Sequence, residues 1–100
     1  MPYGLTEEEI KDIVDVLADD PKVEELILFG SRAKGNYSNG SDIDIAMIGK
    51  DLRLNEISKA LVLLDDLYLP YKLDLVIYHR IQEPALIEHI SKVGITLFKR

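Results

Sequence analysis

Residues 28–35 read LFGSRAKG, and residues 41–45 read SDIDI. The first segment is an apolar run that ends at Gly30 and Ser31, where a helix start is predicted. Glycine lets a backbone approach a phosphate group closely, and the first N–H groups of a helix face an anion. The segment therefore predicts a phosphate-binding turn at the end of a strand.

The second segment places two acids at the beginning of an apolar strand. Asp42 and Asp44 are two positions apart, so a strand would hold both carboxylates on one face, roughly 6–7 Å apart along it. Carboxylates held there repel each other unless a cation lies between them. Hard oxygen ligands favour Mg²⁺ or Mn²⁺, and we predict that both aspartates bind such a metal.

A third acid lies in a later apolar run, residues 72–78, which read KLDLVIY. Asp74 is flanked by leucines there, and an unpaired acid in such surroundings is costly. If this strand lies beside the one that carries Asp42 and Asp44, all three side chains face the same side. Three carboxylates facing a glycine-rich phosphate turn describe a two-metal phosphoryl-transfer site. We therefore predict that these three acids are both catalytic and metal-binding.

Other motifs fit these residues less well. A Walker A loop would need Lys followed by Ser or Thr where Asn36 and Tyr37 stand. An EF-hand loop is excluded by the apolar residues between the acids and by its missing glycine and final glutamate. A phosphatase-like Asp-x-Asp would follow an apolar strand, whereas this pair precedes one. Simple strand-entry residues are the remaining alternative, and the Gly-Ser turn upstream and the acid downstream disfavour it.

Helices and strands alternate along the chain. Thr6 and Glu9 form a capping box ahead of a helical apolar stripe, and Pro21 ends that helix. This order predicts an α/β (α+β) fold in which a small sheet is covered by helices. The predicted strands are 23–29, 42–48 and 72–78, the later helices are 54–67 and 83–93, a helical turn is predicted at 31–34, and 95–98 is a candidate short terminal strand.

Composition limits the function classes. With 100 residues, 47% of them hydrophobic, the chain suits one domain spanning residues 1–100. The absence of Cys excludes disulfides, zinc ribbons and thiol catalysis. The net charge of −6 disfavours nucleic acid as the main partner. No apolar run approaches the roughly 20 residues of a membrane span, and the N-terminus does not resemble a signal peptide. We expect a soluble cytoplasmic protein.

The pattern Gly-Ser-x-x-x-Gly, then Ser-Asp-x-Asp, then a later strand aspartate resembles the nucleotidyltransferase superfamily of the DNA polymerase β type. The small size resembles its minimal nucleotidyltransferases, the MntA-like antitoxins of HEPN/MNT toxin–antitoxin pairs. The resemblance implies a mixed three-stranded core sheet. It implies that Gly30 and Ser31 hold the β- and γ-phosphates of ATP or another NTP. It also implies that Asp42 and Asp44 bind Mg²⁺, as two ions, while Asp74 completes the site and helps activate the acceptor hydroxyl.

The resemblance implies an enzyme that transfers AMP from ATP to a tyrosine of a HEPN-type partner within a hetero-oligomer. The alternative is a non-catalytic, nucleotide-binding antitoxin that neutralises its partner by forming a complex. A small-molecule nucleotidyltransferase is a third option, but the chain offers little surface for binding such an acceptor.

The remaining candidates are individual polar residues. Arg32, Gly35 and Ser41 are further candidates for nucleotide contact, with a solvated charge as the alternative for Arg32. Tyr37 is interpreted as an exposed loop residue rather than a base-stacking group or an acceptor. Two histidines, His79 and His89, have no ligand partner at metal spacing and are interpreted as structural or surface residues.

Overall fold

The computed structural model describes all 100 residues. Single 3₁₀ turns lie at Pro2–Gly4 and Tyr78–Arg80. The helices are α1 (Glu7–Ala18), α2 (Gly30–Lys34), α3 (Leu54–Asp65) and α4 (Pro84–Val93), and the strands are β1 (Glu25–Phe29), β2 (Ile43–Ile48), β3 (Leu73–Ile77) and β4 (Ile95–Lys99).

The predicted helix signals are present in the structure. The Glu9 N–H donates to the Thr6 hydroxyl at 3.0 Å, and the Thr6 N–H donates to the Glu9 carboxylate at 2.9 Å, so the capping box of α1 is complete. Pro84 occupies the first turn of α4, where its missing N–H leaves no hydrogen bond unmade. Gly94 ends that helix by donating its N–H to the Ile90 carbonyl at 2.9 Å.

The four strands form one mixed sheet in the order β3-β2-β1-β4. The central pair, β1 and β2, is antiparallel, β3 runs parallel to β2, and β4 runs antiparallel to β1. The sheet therefore has one strand more than the three-stranded core that the family resemblance implied. The extra strand follows α4 directly at Gly94 and stays only partly buried at an edge. Its segment is short and contains the polar Thr96, which is why it gave a weak signal in the sequence.

The two faces of the sheet carry different cores. One face, lined by alternate residues such as Leu28 and Ile45, packs against α1 and α3 in the larger cluster of 14 buried residues. The other face carries Phe29 and Ala46 and packs against Ile90 of α4. Because side chains alternate along a strand, the acids of β2 and β3 fall on this second face.

No helix of the structure combines the length and the apolar character that a membrane crossing requires.

Candidate active site

Asp44 lies at the centre of a row of residues that crosses three strands. It pairs with Phe29 on the antiparallel side and with Asp74 on the parallel side. Residues paired across neighbouring strands face the same side of a sheet, and adjacent strands are about 4.8 Å apart. The sequence argument required the third strand to lie beside the second, and the structure shows that it does.

Burial and charge act on Asp44 in the same direction. Partial burial, followed by the negative charges of Asp74 and Asp42, raises the pKa of the Asp44 carboxyl to about 6. Burial disfavours the ionised form because the charge loses solvation, and neighbouring carboxylates disfavour it by repulsion. A raised pKa of this origin marks a place where a cation would be favourable.

The other two acids are more open to solvent. Asp42 directly precedes β2, and Asp74 lies within the edge strand β3. Both side chains are exposed. No three acidic or histidine side chains converge tightly enough in this structure to form a closed metal site. The three acids thus form an open cluster around Asp44 rather than a preformed cage.

Gly30 makes the close approach of Asp44 sterically feasible. It is the first residue of α2 and has φ +77°, a left-handed conformation that side chains rarely adopt. A Cβ atom at this position would overlap the Asp44 carboxylate, with the Asp44 Cγ only 3.0 Å away. The Gly-Ser turn and the acid cluster, predicted separately from two sequence segments, are therefore in direct contact. Ser31 follows in the first turn of α2 and is half-buried.

Arg32 is buried, so the alternative interpretation of this residue as a solvated charge was wrong, while its nucleotide contact stays a prediction. Its side chain is 1% exposed, and its guanidinium donates to the Tyr3 carbonyl at 2.9 Å and to the Ser41 carbonyl at 2.9 and 3.1 Å. The rings of Tyr37 and Tyr71 also lie 5.4 and 4.7 Å from the guanidinium carbon. Cation–π contacts and carbonyl dipoles stabilise the buried charge, so Arg32 braces the loop between α2 and β2 from inside.

Two other predicted nucleotide contacts have local structural roles. Gly35 has φ +96° and ends α2 by donating its N–H to the Ser31 carbonyl at 2.9 Å. The Ser41 hydroxyl accepts from the Ser38 N–H at 2.9 Å and shapes the loop before β2. Neither observation tests nucleotide contact, which stays a prediction for both residues.

The aromatic and histidine residues differ in their placement. Tyr37 is half-buried against Arg32, so the interpretation as an exposed loop tyrosine was wrong. His79 is exposed in the turn after β3, as expected. The half-buried His89 lies beside the Gly-Ser turn, because its Nε2 accepts a hydrogen bond from the Gly30 N–H at 3.0 Å. No local signal could have indicated this contact, since 59 residues separate the two partners.

The acid cluster lies outside the three main cavities of the molecule, which have volumes of about 470, 400 and 360 Å³. The largest cavity lies between α3 and the segment that leads into α4, and none of the three is lined by Asp42, Asp44 or Asp74. A substrate of this cluster would therefore bind outside these three cavities, beside the exposed Asp42 and Asp74.

This arrangement of strand, Gly-Ser turn and paired aspartates agrees with a match to known proteins. Residues 11–100 match the family described as "Polymerase beta, Nucleotidyltransferase". The chain belongs to this family. It is therefore a nucleotidyltransferase, as its sequence predicted.

A relative from Methanocaldococcus jannaschii is also similar to the chain over most of its length. The chain is 31% identical over 88 residues to MJ0141, a protein named as a candidate protein adenylyltransferase. The match covers 85% of this chain and 87% of the relative. The similarity therefore extends over most of both chains and is not confined to a short motif.

Solved structures with the same fold include chains from toxin–antitoxin complexes. One, from a complex crystallised with AMP-PNP, superposes with a TM-score of 0.76 at 27% identity and covers 91% of this chain and 73% of that chain. Another comes from a complex of an MNT antitoxin with the tri-AMPylated HEPN toxin of Shewanella oneidensis. It superposes with a TM-score of 0.65 at 23% identity, covers 96% of this chain and 74% of that chain, and supports the fold alone. The mixed sheet flanked by helices is thus the fold of polymerase β-like nucleotidyltransferases.

Proposed function

We propose that this protein is a Mg²⁺-dependent protein adenylyltransferase that transfers AMP from ATP to a tyrosine hydroxyl of a HEPN-type toxin, and so acts as an antitoxin. The observation that carries the proposal is the position of Asp44, which lies against Gly30 on one side and in register with Asp74 on the other. This geometry puts a phosphate-binding turn and an acid cluster within reach of one bound nucleotide.

The comparisons support the finer parts of the proposal. The relative named as a candidate protein adenylyltransferase supports a protein acceptor and AMP as the transferred group. The similar chain crystallised in a toxin–antitoxin complex with AMP-PNP supports ATP as the donor and a toxin as the partner. The HEPN class of that toxin rests on the family resemblance of the sequence motif.

The donor set suits a divalent cation of the Mg²⁺ type, with Mn²⁺ as an alternative. All three acids offer hard oxygen ligands, and the raised pKa of Asp44 reflects its burial and the two neighbouring negative charges, both of which a bound cation would offset. Since Asp42 and Asp74 are exposed, their side chains are free to rotate toward an ion beside Asp44. Two bound ions would neutralise the charge that builds up on the phosphate oxygens during transfer.

The residues of the chain have distinct proposed roles in transfer. Gly30 and Ser31 hold the β- and γ-phosphates, so that the α-phosphorus is presented over the acid cluster. Asp74 accepts the proton of the attacking tyrosine hydroxyl. The new bond joins the tyrosine oxygen to the α-phosphorus, the bond between the α-phosphorus and its bridging oxygen breaks, and pyrophosphate leaves.

The open surface around the acids is the reason to propose a protein acceptor. A small acceptor would need a pocket that positions it, and none of the three main cavities reaches the cluster. A docked partner can both position its own hydroxyl and exclude water, and positioning is worth up to about 7–11 kcal/mol in well-oriented reactions. Apolar side chains of α3 are also exposed, as in proteins that bind partners: Leu54, Leu61, Val62 and Leu63.

The test is to mix the chain with the product of the neighbouring gene, ATP and Mg²⁺, and to locate added AMP by peptide mapping. We expect AMP on a tyrosine of the partner. Asp44→Asn should remove the modification, while the exposed acid Asp66 provides a matched control, D66N, that should retain it. Tight binding of the two proteins with no change of mass in either would contradict the proposal and favour the non-catalytic antitoxin.

A further inference from the structure

The imidazole of His89 connects α4 to the beginning of α2. Its Nε2 accepts a hydrogen bond from the Gly30 N–H at 3.0 Å. Its ring also meets the ring of Phe29 edge-on, with centroids 6.2 Å apart and planes inclined by 80°. Packing and hydrogen bonding therefore fix the same ring against two consecutive residues, the last of β1 and the first of α2.

This hydrogen bond compensates for a missing helix cap. The first N–H groups of a helix have no acceptor within the helix, and a polar residue before the helix usually supplies one. The residue before α2 is Phe29, which has no side-chain acceptor to offer. His89 supplies the acceptor from a different helix. A hydrogen bond accepted by Nε2 requires the tautomer that carries its proton on Nδ1.

We propose that His89 is a positioning residue of the nucleotide-binding turn, an inference that rests on the proposed function of that turn. By holding the Gly30 N–H, His89 maintains the left-handed conformation in which the Cα of Gly30 faces the Asp44 carboxylate. The turn is thus ordered before ATP binds. His89 acts through Gly30 and has no contact with the reacting atoms in this account.

A packing role alone predicts a different response to substitution. If His89 only filled space against Phe29, any side chain of similar size would serve equally well. If its acceptor atom matters, glutamine should replace it, because the glutamine side-chain oxygen reaches the position of the imidazole Nε2. Asparagine is too short to do so and provides a matched amide control.

The first experiment measures the binding of ATP with Mg²⁺ to the wild-type chain, H89Q and H89N by calorimetry. We expect the Kd of H89N to rise about tenfold, which corresponds to the loss of one hydrogen bond. H89Q should stay within about twofold of the wild type. With the partner present, kcat of H89N should change less than its KM for ATP, because ordering of the turn affects binding before chemistry. Equal affinity in all three proteins would overturn the inference.

The second experiment tests the contact without nucleotide or partner. In ¹⁵N NMR spectra, we expect the wild-type His89 ring to carry its proton on Nδ1. We also expect the Gly30 amide proton to exchange with solvent faster in H89N than in the wild type and H89Q, because only H89N lacks the acceptor. A proton on Nε2 would overturn the inference. A wild-type chain that binds ATP with the expected pattern but transfers no AMP would overturn the proposed function and leave the role of His89 standing.

Discussion

The carboxylate of Asp44 lies against the Cα of Gly30, in the space that the Cβ of any other residue would occupy. Two sequence segments that are separated by a loop thereby meet at one point. Glycine is needed at the first position of α2 for two independent reasons, a positive φ and a close neighbour. The contact also joins the proposed phosphate turn and the proposed metal ligands into one unit.

Three glycine substitutions distinguish the effect of a positive φ from the effect of a close neighbour. Gly30→Ala should lower the free energy of unfolding by about 2–4 kcal/mol, because it adds backbone strain and displaces Asp44. Gly35→Ala should cost about 1–2 kcal/mol, since that position has a positive φ but no neighbour within 4 Å. Gly40→Ala, with neither constraint, should be nearly neutral. Urea denaturation measures all three, and equal losses for Gly30→Ala and Gly35→Ala would contradict the contact.

The stability of the metal-free protein should depend on pH through Asp44. Its pKa rises from 3.8 to about 6 on folding, so the folded state binds the proton more tightly than the unfolded chain. The contribution of this group is therefore fully present below about pH 4 and is lost as pH rises through about 6. Asp44→Asn should remove this loss and raise the stability at pH 7 by about 1 kcal/mol, once solvent screening is allowed for.

Denaturation curves in the presence of a chelator at pH 4.5 and pH 7 measure this effect. Asp51→Asn is the control, because Asp51 is exposed and outside the cluster. A variant Asp44→Asn that loses stability at pH 7 relative to the wild type would show that the carboxylate charge is favourable there even without metal.

Substitution of Arg32 distinguishes a bracing role from a phosphate contact. Arg32→Lys should lower the free energy of unfolding by about 2–4 kcal/mol, because one ammonium group cannot serve the carbonyls of both Tyr3 and Ser41. The exposed Arg53 provides the matched control, R53K, with an expected change within about 0.5 kcal/mol. If R32K instead kept full stability and bound ATP weakly, Arg32 would be a nucleotide ligand after all.

Metal and triphosphate should stabilise the protein together. ATP with Mg²⁺ should raise the Tm by mass action on the folded state, and ATP with a chelator should raise it much less, because the acid cluster repels an unneutralised triphosphate. Asp44→Asn should weaken this synergy. Thermal denaturation at fixed ATP and varied Mg²⁺ measures it, and an equal rise of Tm with chelator present would mean that no metal links the phosphates to the acids.

Much of the fold follows from local patterns in the sequence. The capping box at Thr6, the alternation that begins at Ile43 and the proline at position 84 each act within a few residues, so the element order could be predicted from them. The fourth strand was harder to predict because its stability comes from pairing with β1, about 70 residues earlier in the chain. The parallel placement of β3 beside β2 was likewise only a condition in the sequence argument.

Some residues of the candidate site could also be predicted from local patterns, and others could not. Spacing and residue type were enough to predict Asp42, Asp44 and Gly30 as site residues, because the pattern that identifies them lies within a few positions of each. The guanidinium of Arg32 is held by carbonyls of three residues in two separate segments, the N-terminal turn and the loop before β2. The sequence therefore suggested an exposed charge where the structure has a buried one. The contact of His89 depends on how α4 packs against α2, and no pattern within either helix encodes it.

The central claim is that the cluster around Asp44 transfers the α-phosphoryl group of ATP with the help of a metal ion. The most direct measurement supplies the chain and its HEPN-type partner with ATP labelled at either the α- or the γ-phosphorus. We expect α-label to enter the partner, γ-label not to enter it, and chelator or Asp44→Asn to abolish the incorporation. Incorporation of γ-label, or undiminished incorporation of α-label in Asp44→Asn, would contradict it.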